Sequence, residues 1–322
     1  MVTAHKANGF MSNEATGDTW NMYNWQRIFN GYHYGYDSLK DKSPSELDKY
    51  DIAILSGHPA HLDELTRLAE GTKAVTVFFP EGDISLYHDK AVYPETYMAW
   101  NACSIVGIVE EDKIPFYSAL THRPVRFLHV PVPNHLLGGA YFAGNKLKND
   151  DILVYGDNNP NNPIIAFAVA RVMGIPLACV EIPENTVEFI KSYFGIKVTR
   201  HCGKMSQDDF LKLWMAPSRI SIYPTRWIGT ARQCISAAIC GTPIIGTRDS
   251  HTQRRLFPEL CAYNYDTETI CKMVHRLYSD EKFYNDCRNY AFHNALFYGE
   301  TEAVKRMIEA YETAKAKKSG AR

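Results

Sequence analysis

The sequence predicts an α/β fold of two Rossmann-like domains, each a parallel sheet with helices, facing each other across a cleft. Three observations carry that expectation. Short apolar runs rich in β-branched residues alternate with helical patterns from end to end, which is the form βαβ units take in sequence. The runs are near-continuous rather than alternating, as strands covered by helices on both faces must be. The chain has 322 residues, enough for about two domains of ordinary size.

In the first half, strands are expected at 51–56 (DIAILS), 73–79 (KAVTVFF), 104–109 (SIVGIV) and 125–130 (VRFLHV), after a very short one at 2–5. HLDELTRLAEG (61–71) reads as a helix stopped by Gly71, and TWNMYNWQRIF (19–29) as an earlier helix. NKLKND (145–150) is the polar connection between domains. The second series then runs ILVYG (152–156), helix 164–174, PLACVEI (176–182), helix 185–195, IKVTR (196–200), helix 207–214, ISIY (220–223), and PIIGT (243–247). Near the end, Asp266 is placed to cap a helix carrying Ile270, Met273, Val274 and Leu277 on one face. A last helix sets Val304, Met307, Ile308 and Tyr311 on one face, with Glu302 at its start and Lys315 to Lys318 at its end, suiting the helix dipole. The domains expected are 1–140, 150–300, and a helix, 301–322, packing back on the first.

Hydrophobic residues make up 45%, charged residues 22% and aromatic residues 12%, and the formal net charge is -1. That balance gives no whole-protein steering toward nucleic acid or anionic membrane. The eight cysteines include no CxxC pair and several fall in apolar segments, which argues against a zinc site or a disulfide framework and for buried thiols in a reducing cytosol. MVTAHKANGF has no apolar run suited to a signal peptide, and no stretch approaches the roughly 20 apolar residues of a membrane span. A soluble, cytoplasmic protein is expected.

The stretch YPTRWIGTARQCISAAICGTPIIGT (223–247) carries the functional argument. An apolar strand enters a Pro/Gly-containing turn, a helix follows and ends at Gly241, and a further strand restarts the sheet. Such a turn puts the free N–H groups of a helix start beside the carboxyl ends of the strands, where open α/β sheets bind ligands and where phosphate is attracted. Gly229 would admit a ligand to the backbone, Thr230 would cap the helix, and Arg226 would reach an anionic phosphate. The same residues would also make an ordinary turn with a surface arginine, and geometry alone leaves both readings open.

The stretch resembles the donor-site segment of retaining glycosyltransferases of the two-Rossmann (GT-B) architecture, the large group that includes sucrose, glycogen and lipopolysaccharide glycosyltransferases. Pro224, Arg226, Trp227, Gly229, Ala237, Ala238, Cys240, Gly241, Pro243, Ile244 and Ile245 stand in matching register. Segments 104–134, 205–224 and 266–312 are similar to the last N-domain strands, the helix and strand before the motif, and the C-terminal helices. The resemblance implies a hexose moved from a nucleotide-diphosphate sugar, with the leaving diphosphate stabilised by cations and helix N-termini. No cofactor and no metal are implied. The acceptor would be a glycan, a lipid-linked glycan, a small molecule or a modified nucleic acid.

Departures from the pattern are specific. Members of the group carry two glutamates, one near the donor sugar and one on the nucleotide ribose, where this chain has Ile228 and Ser236. Isoleucine accepts no hydrogen bond, and serine is shorter than glutamate and uncharged. The cations that hold the diphosphate after the first strand of the second domain are absent from YGDNNPNNP (155–163). The glycine-rich loop after the PIIGT strand is replaced by RDSHTQRR (248–255), whose arginines suggest a relocated phosphate site. Donor-binding candidates are therefore Gly156, Asp157, Arg226, Trp227, Gly229, Thr230, Arg232, Ser236, Thr247 and Arg248.

In the first domain, SGHP and FFPEGD place His58, Glu81 and Asp83 just past two strand ends, where they would orient hydroxyls or act as base. Glu81 and Asp83 would equally suit a Pro–Gly turn capping a helix. GYHYGYDS (31–38) is read as an exposed, partly packed loop, and His275 and His293 as structural histidines. Three functions follow: a hexosyltransferase, a non-catalytic pseudo-glycosyltransferase acting as a binding partner, and a glycosyltransferase of modified DNA bases.

Overall fold

The computed structural model describes residues 2–4, 23–30, 32–34, 40–57, 61–80, 94–143, 148–156, 163–223 and 232–320. By its internal contacts the chain divides into one unit made of Met1–Asn134 with Tyr298–Arg322, and another made of His135–Phe297.

The first unit holds β1 (Val2–Ala4), β2 (Tyr32–Tyr34), β3 (Ile52–Gly57), β4 (Val75–Pro80), β5 (Ile105–Ile108) and β6 (Val125–Phe127). They form one six-stranded sheet in the order β2-β1-β3-β4-β5-β6, with every pairing parallel. Both faces are covered, which is why the strands are apolar at successive positions. Ala53 and Leu55 enter one core with Leu65, Leu68, Phe78 and Trp100, whereas Ile52 and Ile54 enter the other with Val75, Val77, Phe79 and Trp25.

Three expectations for this unit are corrected. Tyr32–Tyr34, expected in a loop, forms the edge strand β2, pairing with β1 at Val2↔Tyr32 and Ala4↔Tyr34. Tyrosine and histidine suit a strand, and the flanking glycines hid that preference behind a turn signal. The last strand stops at Phe127 rather than 130, and His129 is fully buried with Nδ1 3.1 Å from the Arg306 guanidinium. Burial, with Arg306 beside it, pushes the His129 pKa down to about 3, so the ring is neutral. Finally, the helix Glu300–Gly320 buries Ala303, Met307, Ala310 and Ala314 against the core of Ile52, Val77 and Leu128, leaving Ile308 47% exposed. Three of the four buried residues are alanines, which let a helix lie close on a sheet; a reading weighted by side-chain size rotates the stripe off its true face.

The second unit holds β7 (Asn149–Tyr155), β8 (Leu177–Val180), β9 (Val198–Cys202), β10 (Ser218–Tyr223), β11 (Ile244–Thr247) and β12 (Cys261–Ala262), in the parallel order β12-β11-β10-β7-β8-β9. Glycine in the left-handed region follows three of its helices, Gly174 at φ 66, Gly195 at φ 67 and Gly241 at φ 59. Asp266 accepts from the Thr269 N–H at 3.1 Å and caps the helix Thr267–Ser279, whose buried face is Ile270, Val274 and Leu277. The segment expected as one helix at 207–214 is a short α-turn, Gln207–Asp209, running into a π-helix, Phe210–Met215, where the Ala216 N–H donates to Leu211 O at 2.9 Å.

Two polar devices brace the amino ends of these strands. Asp151, 1% exposed, receives Arg200 through Nε at 3.1 Å and Nη2 at 3.1 Å, with the Thr199 hydroxyl at 3.2 Å. The guanidinium also lies 4.9 Å over Trp214. Lys148 donates to Ala216 O at 2.5 Å, Thr242 Oγ1 at 3.1 Å and Cys240 O at 3.4 Å, so one ammonium serves the C-terminal carbonyls of two helices. Burial, aided by Arg288, pushes its pKa down to about 7.

Candidate functional site

Counted within the second unit, the strand order is 6-5-4-1-2-3, so the direction of winding reverses between β7 and β10. Open sheets bind ligands at the carboxyl ends of the strands beside such a reversal. The strands that flank it are held in parallel register by Ile152↔Ile220 and Leu153↔Ser221. One ends at Tyr155 and continues into Gly156; the other ends at Tyr223 and continues into the segment that precedes the helix Arg232–Cys240.

Gly156 is a packing residue as well as a strand end. Its N–H donates to Val180 O at 2.9 Å, and a Cβ there would lie 2.2 Å from Ile182 Cδ1. Ile182 is delivered to that spot by Glu181, which takes φ 57, a left-handed conformation costing an L side chain roughly 1 kcal/mol or more. The Glu181 carboxylate receives the Tyr155 hydroxyl at 3.2 Å, and the Tyr155 ring meets Phe210 edge-on at 5.6 Å. Within β9, His201 faces two acceptors, Ile182 O at 2.7 Å and Glu184 Oε2 at 2.9 Å.

On the helix after β10, Arg232 is the exposed first residue. Ser236 is 2% exposed, with its hydroxyl 3.4 Å from Gln207 Nε2. Cys234 and Cys240 are buried in the same helix, and burial pushes Cys240 up to about 12, which removes it as a nucleophile.

RDSHTQRR runs from a turn into the helix His251–Leu256. Thr247 is 3% exposed and bonds the Asp249 N–H at 3.3 Å; Ser250 caps the helix His251–Leu256. Gln253 is fully buried, donating to Ile244 O at 2.9 Å and Leu260 O at 3.0 Å while accepting from Cys234 Sγ at 2.9 Å. It fills the room left by Gly246, where a Cβ would stand 2.5 Å from Gln253 Oε1. Arg248 is exposed, with its guanidinium 5.2 Å over Tyr263. Arg254 donates to Arg248 O, and Arg255 lies 3.6 Å over Phe297.

Of the residues singled out in the sequence, Gly156, Thr247 and Arg248 stand at the carboxyl ends of β7 and β11, and Arg232 and Ser236 lie in the helix that comes after β10. Asp157, Arg226, Trp227, Gly229, Thr230, His58, Glu81 and Asp83 lie outside the described residues. In the first unit Gly57 and Pro80, which immediately precede His58 and Glu81, are paired in register. Sequence reasoning missed Tyr155, Glu181 and Gln207. The signal for Glu181 was an acid at the end of an apolar strand, two residues before Pro183. Among the described residues, no group of three or more His, Cys, Asp or Glu is placed to hold a metal ion, and no helix is long and apolar enough to cross a membrane. None of the eight cysteines forms a disulfide.

No protein-family model matches this sequence, and no curated protein matches it. Solved structures match it in fold. HepE from Anabaena, solved in complex with UDP-glucose, aligns with a TM-score of 0.73 over 98% of this chain and 99% of its own, at 9% identity. An α,α-trehalose 6-phosphate synthase from Burkholderia multivorans aligns with a TM-score of 0.65, 11% identity, and coverage of 88% and 74%. Sucrose-phosphate synthase from Thermosynechococcus elongatus gives 0.65, 14%, and coverage of 83% and 74%. At these identities the likeness is one of fold. The chain has the two-Rossmann, GT-B fold of the glycosyltransferases.

Proposed function

We propose that this chain is a glycosyltransferase that moves a hexose from a nucleotide-diphosphate sugar to an acceptor. The observation that carries the reading is the reversal of strand order between β7 and β10, at the head of the segment PTRWIGT. The second domain binds the donor: amides at the start of the helix after β10, with Arg226, Arg232 and Arg248, hold the diphosphate, and Gly229 lets it approach the backbone. Stabilising the departing diphosphate is the main catalytic device. The first domain binds the acceptor, with His58, Glu81 and Asp83 past its strand ends orienting hydroxyls or acting as base. No metal takes part, and the enzyme works in the cytoplasm, a reading supported by eight cysteines without a disulfide.

Calorimetry with nucleoside diphosphates and their glucose conjugates, followed by donor hydrolysis, tests this. Saturable binding is expected, and Arg226→Ala and Gly229→Trp should each abolish it while leaving the melting transition intact. Normal binding by both variants would show that the site is elsewhere.

A second reading, a non-catalytic glycosyltransferase homologue that acts as a binding partner, is favoured by Ile228 and by a Ser236 that is 2% exposed. Donor binding without detectable hydrolysis or transfer would support it.

A further inference from the structure

We propose that Tyr263 is a positioning residue of the donor site: its ring holds the Arg248 guanidinium at the carboxyl end of β11 and leaves the N–H donors for the diphosphate. The proposal rests on the donor reading above, which gives Arg248 to the diphosphate, and adds a residue that the sequence motif does not contain.

Topology brings the two side chains together. β11 lies beside β10, with Gly246 in register with Tyr223, the last residue of β10 before PTRWIGT. β12 lies on its other side, with Thr247 in register with Ala262. Arg248 and Tyr263 are therefore the next residues past two paired strand ends, and the Arg248 N–H donates to Ala262 O at 2.9 Å. Both backbones are pinned. Arg248 O accepts from the Arg254 side chain. Tyr263 O accepts at 3.2 Å from the N–H of Asp266, the residue that caps the helix Thr267–Ser279.

The pair suits an oxyanion. The guanidinium carbon of Arg248 lies 5.2 Å from the centre of the Tyr263 ring, within cation–π range. That contact spends none of the guanidinium N–H donors on a hydrogen-bond acceptor. Among the described residues, the Arg248 side chain makes no hydrogen bond and no ion pair. Arg248 is exposed and Tyr263 is 58% exposed, so the contact does not brace a core. An unsupported arginine samples many rotamers, and a ligand has to order it; a ring beneath the guanidinium removes part of that loss in advance.

The test is a double-mutant cycle read by calorimetry with UDP, ADP and GDP, the tightest binder of the three serving as ligand. Arg248→Ala should weaken binding by about 10-fold or more, the worth of hydrogen bonds from a charged group. Tyr263→Leu should weaken it by about 2- to 5-fold, as loss of an exposed cation–π contact does, and Tyr263→Phe, which keeps the ring, should bind as wild type does. In the Arg248→Ala background, Tyr263→Leu should change nothing, because the ring acts through the guanidinium. All variants should melt close to wild type, since both side chains are exposed. An equal loss from Tyr263→Leu in both backgrounds, no loss in either, or a loss in Tyr263→Phe as large as in Tyr263→Leu overturns the assignment and leaves the donor site standing. Normal binding by Arg248→Ala does the same. No binding of any of the three nucleotides by wild type overturns both.

Discussion

Replacing Lys148 by methionine should change how stability responds to pH. The ammonium bonds Ala216 O at 2.5 Å, Thr242 Oγ1 at 3.1 Å and Cys240 O at 3.4 Å, and burial with Arg288 nearby lowers its pKa from 10.5 to about 7. Between those two values the unfolded chain holds a proton that the folded chain has released. Stability from this group therefore rises as pH rises through the window, and is smallest below pH 7. The ceiling is about 1.4 kcal/mol per pH unit for one proton. Partial exposure of the side chain and the three acceptors, which favour the charged form, reduce that to roughly 0.5–1 kcal/mol per unit. Lys148→Met keeps the apolar stem, leaves two helix-end carbonyls without this donor, and removes the titration. Urea unfolding at pH 7, 8 and 9 should show wild type gaining on the variant by roughly 1–2 kcal/mol across the series. Buried thiols such as Cys103 and Cys240, pushed up to about 12, act in the opposite sense at higher pH but are common to both proteins. Parallel stability curves for the two proteins would refute the reasoning.

Asp151→Ala leaves the Arg200 guanidinium without its carboxylate and should cost about 3–5 kcal/mol by urea unfolding, most of it recovered in Asp151→Leu with Arg200→Met. Gly156→Ala puts a Cβ 2.2 Å from Ile182 Cδ1 and should cost about 1–3 kcal/mol, with Ile182→Val restoring much of the melting temperature. Gln253→Leu removes the donors to Ile244 O and Leu260 O and should destabilise by roughly 2–4 kcal/mol in the same assay; an unchanged midpoint would mean that those carbonyls find other partners.

Much of the architecture was legible in one dimension. Continuous β-branched runs such as IAIL and IVGI are what two-faced burial requires, so the strands β3, β5, β8 and β11 were found near their true positions. Gly174, Gly195 and Asp266 marked helix ends because backbone conformation and capping are local. Tyr32–Tyr34 was missed because its strand character depends on β1 lying alongside, and the last helix was rotated because its alanine stripe gains value only against the sheet.

The candidate site divides the same way. Local pattern sufficed to put PTRWIGT between a strand and a helix, and to note Ile228 and Ser236 where the family resemblance led one to expect acids. It could not show that Gly156 makes room for Ile182, that Ser236 is closed over by Gln207, or that Glu181 stands beside Tyr155 at the neighbouring strand end. Those facts join residues from separate strands, and only the order in which the strands pack decides them. The sequence by itself determined the repeating βαβ plan, because hydrophobic period and end-capping act within a few residues. Tertiary structure decided which residues meet at the strand ends, because that is set by contacts across tens of residues of chain.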